Sequence, residues 1–165
     1  DPEGAKEAFR KAMEIAHSAK RMVALTLSDP FCVDRHRADF IQLVSEDVDI
    51  LFANEQEIIS LYEARDLEEA VRQVRTHCKI AALTLGASGS VVVSGGQVHR
   101  VEVAPVEQLV DTTGAGDLYA AGFLFGYTEG FDHATCGVYG SKAAAEVISH
   151  YGARPKIRLS GLVAS

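Results

Sequence analysis

The hydrophobic positions of this chain fall into short, nearly unbroken runs separated by longer stretches with helical spacing. Three runs, at 22–27, 48–53 and 80–85, contain few polar residues. Runs of this length predict strands buried on both faces, which is typical of a parallel sheet covered by helices. Before and between the runs, apolar residues recur every three or four positions. This spacing predicts helices over residues 2–19, 34–45, 54–63 and 66–78.

The hydrophobic period changes in the second half of the chain. Residues 90–94 and 97–103 are predicted to form two strands around Gly95-Gly96, a pair that favours a two-residue hairpin turn. Helices are predicted over 115–128 and 132–149. The alternation predicts an α/β fold: three αβα layers, with a mostly parallel sheet and an antiparallel hairpin at its edge. The 165 residues are expected to form a single domain.

Composition narrows the classes of partner and compartment. Hydrophobic residues make up 47% of the chain, and the formal net charge is −7. Because Lys and Arg are scattered and form no stripe, nucleic acid is not an expected partner. No run of about 18 apolar residues is present, so no membrane partner is expected. The cysteines, Cys32, Cys78 and Cys136, lack disulfide or zinc-site spacing, which favours a cytoplasmic location.

The segment Asp111-Thr112-Thr113-Gly114-Ala115-Gly116-Asp117 carries the clearest chemical signal. It opens a predicted helix, where the first N–H groups lack partners within the helix and the helix dipole adds positive charge. Gly114 and Gly116 have no Cβ atoms, so an anion could approach this backbone closely. Asp117 follows in the first turn. An anion-binding turn beside a carboxylate suits phosphoryl transfer to a hydroxyl group, whose proton the carboxylate would accept.

A glycine-rich turn before an acidic first helical turn is also ordinary chemistry for a helix start, because Asp is favourable there without a ligand. The complete string, however, resembles the signature of the ribokinase-like (PfkB) family of carbohydrate and nucleoside kinases. The resemblance implies that Asp117 is the catalytic base and that Gly114, Ala115 and Gly116 form the anion hole. It covers only the C-terminal half of such a kinase. We therefore expect residues 1–165 to be a nucleotide-binding and catalytic fragment without the parent's N-terminal half and lid.

Asn54 and Glu57 lie three positions apart at the predicted start of a helix. Spacing alone favours a capping box, in which each residue hydrogen-bonds the backbone of the other. The pair also resembles the family's N-x-x-E motif, which implies that it organises Mg²⁺ and its waters near the nucleotide phosphates. The two interpretations are compatible, because Mg²⁺ keeps several waters and needs only outer-sphere contacts from such groups.

The segment at 84–89 joins the third predicted strand to the hairpin, and by itself it is a turn that needs two glycines. It resembles the family's T-x-G-x-x-G loop, which implies that Thr84, Gly86, Ser88 and Gly89 contact the nucleotide phosphates and ribose. Ser141 lies where sugar kinases of the family often carry an Asn near adenine. An ordinary small helix residue is the alternative for Ser141.

Asp111 and Thr113 match positions at which ribokinase-like enzymes bind a monovalent cation, together with backbone carbonyl groups of the segment 147–152. A further ligand of the family is usually a small hydroxyl residue, and that position holds Lys156 here. A lysine ammonium group could fill the space of K⁺. The sequence therefore leaves open whether K⁺ is a cofactor alongside ATP and Mg²⁺.

Two segments favour a nucleoside as the phosphoryl acceptor: residues 26–31 resemble the L-S-x-P-F stretch of adenosine kinases, and residues 48–55 their V-D-I-L-F-G-N-E segment. The resemblance implies an ATP-dependent kinase acting on a nucleoside 5′-hydroxyl group, with a sugar kinase for ribose, fructose or a sugar acid as the alternative. A non-catalytic nucleotide-binding fragment and an interaction domain also stay open. The isolated fragment is expected to be inactive, and an unpaired sheet edge would favour association, including a homodimer.

Overall fold

The structure is a computed structural model that describes residues 3–163. Within that range one sheet runs in chain order through β1 (Ala24–Thr26), β2 (Ile50–Asn54), β3 (Ile80–Thr84), β4 (Ser90–Ser94) and β5 (Gln97–Val101). The first three strands are parallel, and β4 and β5 are antiparallel to their neighbours. The predicted α/β fold, with its antiparallel hairpin at the edge, is confirmed.

Helices cover both faces of the sheet, which confirms the three layers. The longer helices and short helical turns are α1 (Glu3–Ser18), α2 (Pro30–Arg35), α3 (Arg37–Glu46), α4 (Glu55–Tyr62), α5 (Leu67–His77), α6 (Ala115–Thr128), α7 (His133–Ile148) and α8 (Ser160–Val163). Alternate strand residues such as Leu51 and Leu83 pack in the core on the side of α2 to α5. Phe52 on β2 instead meets Phe123 of α6 edge to face, with ring centroids 5.4 Å apart.

The structure differs from the sequence prediction mainly around residue 30. A separate helix, α2, precedes α3, whereas the sequence predicts a single helix over 34–45. Asp29 accepts a hydrogen bond from the Phe31 N–H group at 2.9 Å, and Pro30 occupies the first helical position. The residues that end the first strand therefore also begin a helix.

Smaller differences concern the ends of elements. The first and fifth strands are shorter than predicted, and α8 has no predicted counterpart. The predicted start of the first helix at position 2 lies outside the described residues. None of the helices described between residues 3 and 163 has the length and apolar character needed to cross a membrane.

The helices α6 and α7 approach each other closely because glycine lies at their contact. A Cβ atom at Gly122 would lie 2.4 Å from the carbonyl oxygen of Tyr139 and 3.0 Å from the Cβ of Ala143. A Cβ atom at Gly126 would lie 2.8 Å from the ring of Tyr139. The absence of side chains at these positions therefore sets the distance between the two helices.

We expect Gly122→Ala to destabilise the protein by roughly 1–3 kcal/mol, because the new methyl group has no space beside the α7 backbone. The matched control is Gly4→Ala on α1, where no atom of the described residues lies within 4 Å of the new Cβ atom. That control should be neutral or stabilising by up to about 1 kcal/mol, since Ala has the higher helix propensity. Urea unfolding of both variants measures the difference. Equal stability of the two variants would contradict close packing at Gly122.

Candidate functional site

A cleft lies at the carboxyl ends of the parallel strands, where α6 also begins. Because β1, β2 and β3 run in one direction, their carboxyl ends meet at one edge of the sheet, a common place for ligand binding in open α/β sheets. The cleft has a volume of about 440 Å³. Its walls include Thr26, Ser28, Asn54, Glu57, Thr84, Thr112, Gly114, Ala115, Gly116 and Asp117.

The structure brings together seven of the thirteen site residues that the sequence predicts. Those that line the cleft are Asn54, Glu57, Thr84, Gly114, Ala115, Gly116 and Asp117. The others lie outside the cleft lining: Gly86, Ser88, Gly89, Asp111, Thr113 and Ser141. The residues predicted for the catalytic base, the anion hole and the magnesium waters thus share one cavity.

The glycine-rich turn forms the start of α6. Gly114 is the N-cap residue, with a left-handed backbone (φ 82°), and as a glycine it has no side chain with which to cap the helix. Its carbonyl oxygen accepts a hydrogen bond from the Leu118 N–H group at 2.9 Å. Of the three N–H groups predicted to hold an anion, that of Ala115 already donates to the Thr112 carbonyl oxygen at 3.1 Å. Ala115 could join an anion site only by sharing this bond.

The helical phase of α6 directs Asp117 into the cleft. Asp117 is exposed, whereas the next two residues, Leu118 and Tyr119, are buried. The Tyr119 hydroxyl lies 2.8 Å from the Ser90 hydroxyl on β4, and burial raises the pKa of Tyr119 to about 12. The start of α6 is therefore attached to the sheet directly beside Asp117.

Asn54 and Glu57 form the capping box that their spacing predicts. The Asn54 Oδ1 accepts a hydrogen bond from the Glu57 N–H group at 2.9 Å, and the Glu57 Oε2 accepts one from the Asn54 N–H group at 2.8 Å. A third bond, also 2.8 Å, joins the Asn54 amide to the Glu57 Oε1. Burial raises the pKa of Glu57, although the Asn54 N–H group favours its charged form. Each Glu57 oxygen keeps a lone pair for another donor.

Asp111 is bound to two backbone segments. Its Oδ2 accepts a hydrogen bond from the Gly152 N–H group at 3.0 Å, and its Oδ1 accepts one from the Thr113 N–H group at 2.9 Å. These bonds lower the pKa of Asp111 to about 2, and the bond from Gly152 has the largest effect. The Lys156 side chain is exposed, and its backbone N–H group points inward to Glu146.

Two of the remaining predicted residues, Gly89 and Ser141, make structural contacts. A Cβ atom at Gly89 would lie 2.1 Å from the carbonyl oxygen of Val101, so the close approach of β5 requires glycine there. The Ser141 hydroxyl accepts a hydrogen bond from the Ala104 N–H group at 2.8 Å and donates to the Glu102 carbonyl oxygen at 3.2 Å. Ser141 therefore joins α7 to the segment that follows β5.

Thr26 and Ser28 are hydroxyl residues of the cleft that are not among the site residues predicted from the sequence. Thr26 ends β1, and Ser28 follows it with a left-handed backbone (φ 68°), which is uncommon for a residue other than glycine. Both residues line the cleft. Their position after a parallel strand is the signal that could have identified them.

The side-chain oxygens of the cleft suit a hydrated cation better than one that they would ligate directly. No group of three His, Cys, Asp or Glu side chains within residues 3–163 has the arrangement of a metal cage. Asn54 and Glu57 instead offer oxygen atoms that are already oriented by the capping box. Such oxygens can accept hydrogen bonds from waters of a Mg²⁺ ion, so these residues fit outer-sphere contacts.

Comparison with known proteins connects this chain to a family. Residues 1–158 match the profile described as pfkB family carbohydrate kinase. The adenosine kinase from Sinorhizobium meliloti is 50% identical over 97% of this chain and 49% of its own, with a TM-score of 0.93. A probable sugar kinase from Rhizobium etli CFN 42 is 46% identical over 97% of this chain and 49% of its own, with a TM-score of 0.94.

A further relative is an uncharacterized sugar kinase from Archaeoglobus fulgidus, 38% identical over 69% of this chain and 45% of its own length. The chain therefore spans about half the length of the relatives that it matches.

The capping box can be tested by comparing the cap of α4, Asn54, with the cap of α5, Asp66. Asn54→Ala should destabilise the protein by about 1–2 kcal/mol, because it removes the cap of α4 and leaves the buried Glu57 with fewer donors. In the control Asp66→Ala, α5 loses its cap bond to the Glu69 N–H group on an exposed surface. About 1 kcal/mol is expected there. Denaturant unfolding compares them, and an unaffected Asn54→Ala variant would contradict the bonding described.

Proposed function

Because this chain belongs to the PfkB family of carbohydrate kinases, we propose that it is the nucleotide-binding and catalytic half of a longer kinase. This kinase would transfer the γ-phosphoryl group of ATP to a hydroxyl group of a nucleoside. The observation that carries the proposal is the shared cleft of Asp117, the glycine-rich turn and the Asn54–Glu57 pair. The match to relatives of about twice the length supports the proposed division into halves.

Asp117 would orient the acceptor hydroxyl group and accept its proton. It is exposed in the cleft and lies in the first turn of α6. An alcohol is a much weaker acid than a carboxylic acid, so the proton would move to Asp117 late, as the bond to phosphorus forms. Negative charge on the transferred group would meet the N–H groups at the start of α6, where the helix dipole also favours an anion.

Asn54 and Glu57 would hold the hydrated Mg²⁺ ion from the strand side of the cleft. When bound, the ion neutralises phosphate charge during the transfer. The chain's own contribution is orientation, because both side chains are already fixed by three hydrogen bonds. Thr84 ends β3 directly beside Asn54 in the sheet register and lines the same wall.

The acceptor is proposed to be adenosine or a related nucleoside. The resemblance of residues 26–31 and 48–55 to adenosine kinases supports this choice, as does the similarity to an adenosine kinase of known structure. A sugar acceptor is the second candidate, because a probable sugar kinase is almost equally similar. Both acceptors present a primary hydroxyl group to the same proposed base.

In the full-length kinase, Asp117→Asn should lower kcat by ~10²-fold or more, because the amide cannot accept the hydroxyl proton. Affinity for ATP should change little, since the side chain is proposed to contact the acceptor and not the nucleotide. Steady-state kinetics and calorimetric titration of nucleotide measure the two quantities.

The control for Asp117→Asn is Glu68→Gln, which removes an acidic charge from the first turn of α5, on a side chain that is 82% exposed. It should retain normal kcat. A near-normal kcat for Asp117→Asn would show that Asp117 is not the catalytic base.

The variants of the two helix caps also test the magnesium role. Asn54→Ala should weaken nucleotide binding in the presence of Mg²⁺ and have a much smaller effect in EDTA, because the proposed contact runs through waters of the ion. Asp66→Ala should bind nucleotide normally under both conditions. Titration of the chain with a non-hydrolysable ATP analogue measures the affinities. If Asn54→Ala weakens nucleotide binding equally with and without Mg²⁺, Asn54 contributes to binding through the local structure of the cleft and not through the ion.

A panel of acceptors tests the substrate class. The full-length kinase is expected to show its highest kcat/KM with adenosine among adenosine, ribose and fructose. A coupled assay for ADP formation measures all three under the same conditions. A clear preference for ribose or fructose would support the sugar kinase, and activity with none of them would leave nucleotide binding as the supported property.

A further inference from the structure

Glu146 is a buried acidic residue that the proposed mechanism does not use. It lies on α7, and its side chain is 8% exposed. Its Oε1 accepts a hydrogen bond from the Lys156 N–H group at 2.8 Å and lies 3.2 Å from the Nε2 of His150, whose side chain is 9% exposed. Among the described residues, Glu146 thus ties the end of α7 to a segment ten residues further on.

This segment, residues 150–156, packs directly behind the glycine-rich turn. The Gly152 N–H group donates to Asp111 at 3.0 Å, and Asp111 in turn accepts a bond from Thr113. A Cβ atom at Gly114 would lie 2.7 Å from the Cβ atom of Ala153. The segment is therefore attached at Lys156 by Glu146 and at Gly152 by Asp111, with Ala153 against the turn between these two points.

The contacts of Glu146 are concentrated on one of its two oxygens. Its Oε2 is buried and has no hydrogen-bond partner within residues 3–163. One oxygen of this buried carboxylate therefore makes the bonds that hold the neighbouring chain. Glu146 offers what an apolar residue cannot: an acceptor for the Lys156 N–H group and for His150.

We propose that Glu146 is a positioning residue for the proposed kinase reaction: it fixes the 150–156 segment, which holds the glycine-rich turn in its anion-binding geometry. The inference rests on the proposed function, but it concerns a residue outside the cleft. Loss of the Glu146 acceptor removes the attachment at Lys156 and leaves the bond from Gly152 to Asp111, so Ala153 can move away from Gly114. Small displacements of transition-state donors are costly, of the order of 10²-fold in rate per ångström.

The kinetic test uses the full-length kinase with Glu146→Ala and Glu146→Gln. Glu146→Ala should lower kcat by ~10-fold or more while KM for ATP stays within about twofold, because the displaced donors act in the transition state. Glu146→Gln keeps an oxygen acceptor and should restore kcat to within about threefold of the parent enzyme. Glu68→Ala, at an exposed acid on α5, is the matched control and should leave kcat unchanged.

Amide hydrogen exchange provides a readout that needs no catalysis. In Glu146→Ala, exchange should become faster in peptides covering residues 111–117 and 150–158 and stay unchanged in the turn of the β4–β5 hairpin. Because this measurement uses no substrate, failure of the kinase assignment would leave it interpretable. Faster exchange without any kinase activity would overturn the proposed function and would still show that Glu146 fixes the 150–156 segment and the glycine-rich turn.

Three results would overturn the positioning role. One is a folded Glu146→Ala enzyme with normal kcat; another is unchanged exchange in residues 111–117. The third is a Glu146→Gln variant as impaired as Glu146→Ala, since charge and not the acceptor bond would then matter.

If Glu146→Ala fails to fold, Ala153→Gly tests the same contact with Gly114. The expected loss in kcat is ~3-fold or more. Normal kcat in Ala153→Gly would also overturn the proposal.

Discussion

The candidate site depends on how closely α6 approaches α7 and the segment that follows it. Gly122 allows the middle of α6 to lie against the α7 backbone, and Gly114 allows the start of α6 to lie against Ala153. One continuous stretch of chain, 133–153, therefore holds α6 at both places. Since the turn packs against Ala153 and the middle of α6 packs against α7, its backbone is held in place by the fold without a ligand, which is the condition for electrostatic stabilisation of a transition state.

Two side chains of the candidate site both stabilise the fold and line the cleft. Asn54 and Glu57 begin α4 through three mutual hydrogen bonds and also line the cavity. Such side chains lose little conformational freedom on binding, because the fold has already ordered them. A capping interpretation and a binding interpretation of the same motif are therefore not competitors: the cap supplies the rigidity that an outer-sphere contact requires.

The sequence predicts well what depends on local pattern. The unbroken runs identify β2 and β3, which are buried on both faces, and Gly95-Gly96 identifies the hairpin between β4 and β5. The helix α2 is not predicted, because Ser28, Asp29 and Pro30 are typical of turns. Asp before Pro is, however, also a signal for the start of a helix. Here the same residues serve both purposes, and only the packing of α2 against α4 decides between them.

Long-range contacts account for the site features that the sequence could not predict. A Glu on a helix is exposed by default, and the burial of Glu146 depends on a backbone N–H group ten residues away. Ser141 likewise bonds a segment 37 residues distant. By contrast, Asp117 and Asn54 could be placed from the chain alone, because each sits at the start of a helix directly after a recognisable turn or strand.

In the proposed enzyme, the residues that set the rate of phosphoryl transfer differ from those that select the acceptor. The walls of the cleft include groups suited to phosphate, to a hydrated cation and to a hydroxyl proton, and none of these three kinds of group distinguishes a nucleoside from a sugar. Two relatives of nearly equal similarity, an adenosine kinase and a probable sugar kinase, accordingly share this half of the fold. Changes at Asp117 or the glycine-rich turn should therefore scale the rate for every acceptor alike. Acceptor preference must depend on contacts to the rest of the acceptor molecule, beyond the reacting hydroxyl group.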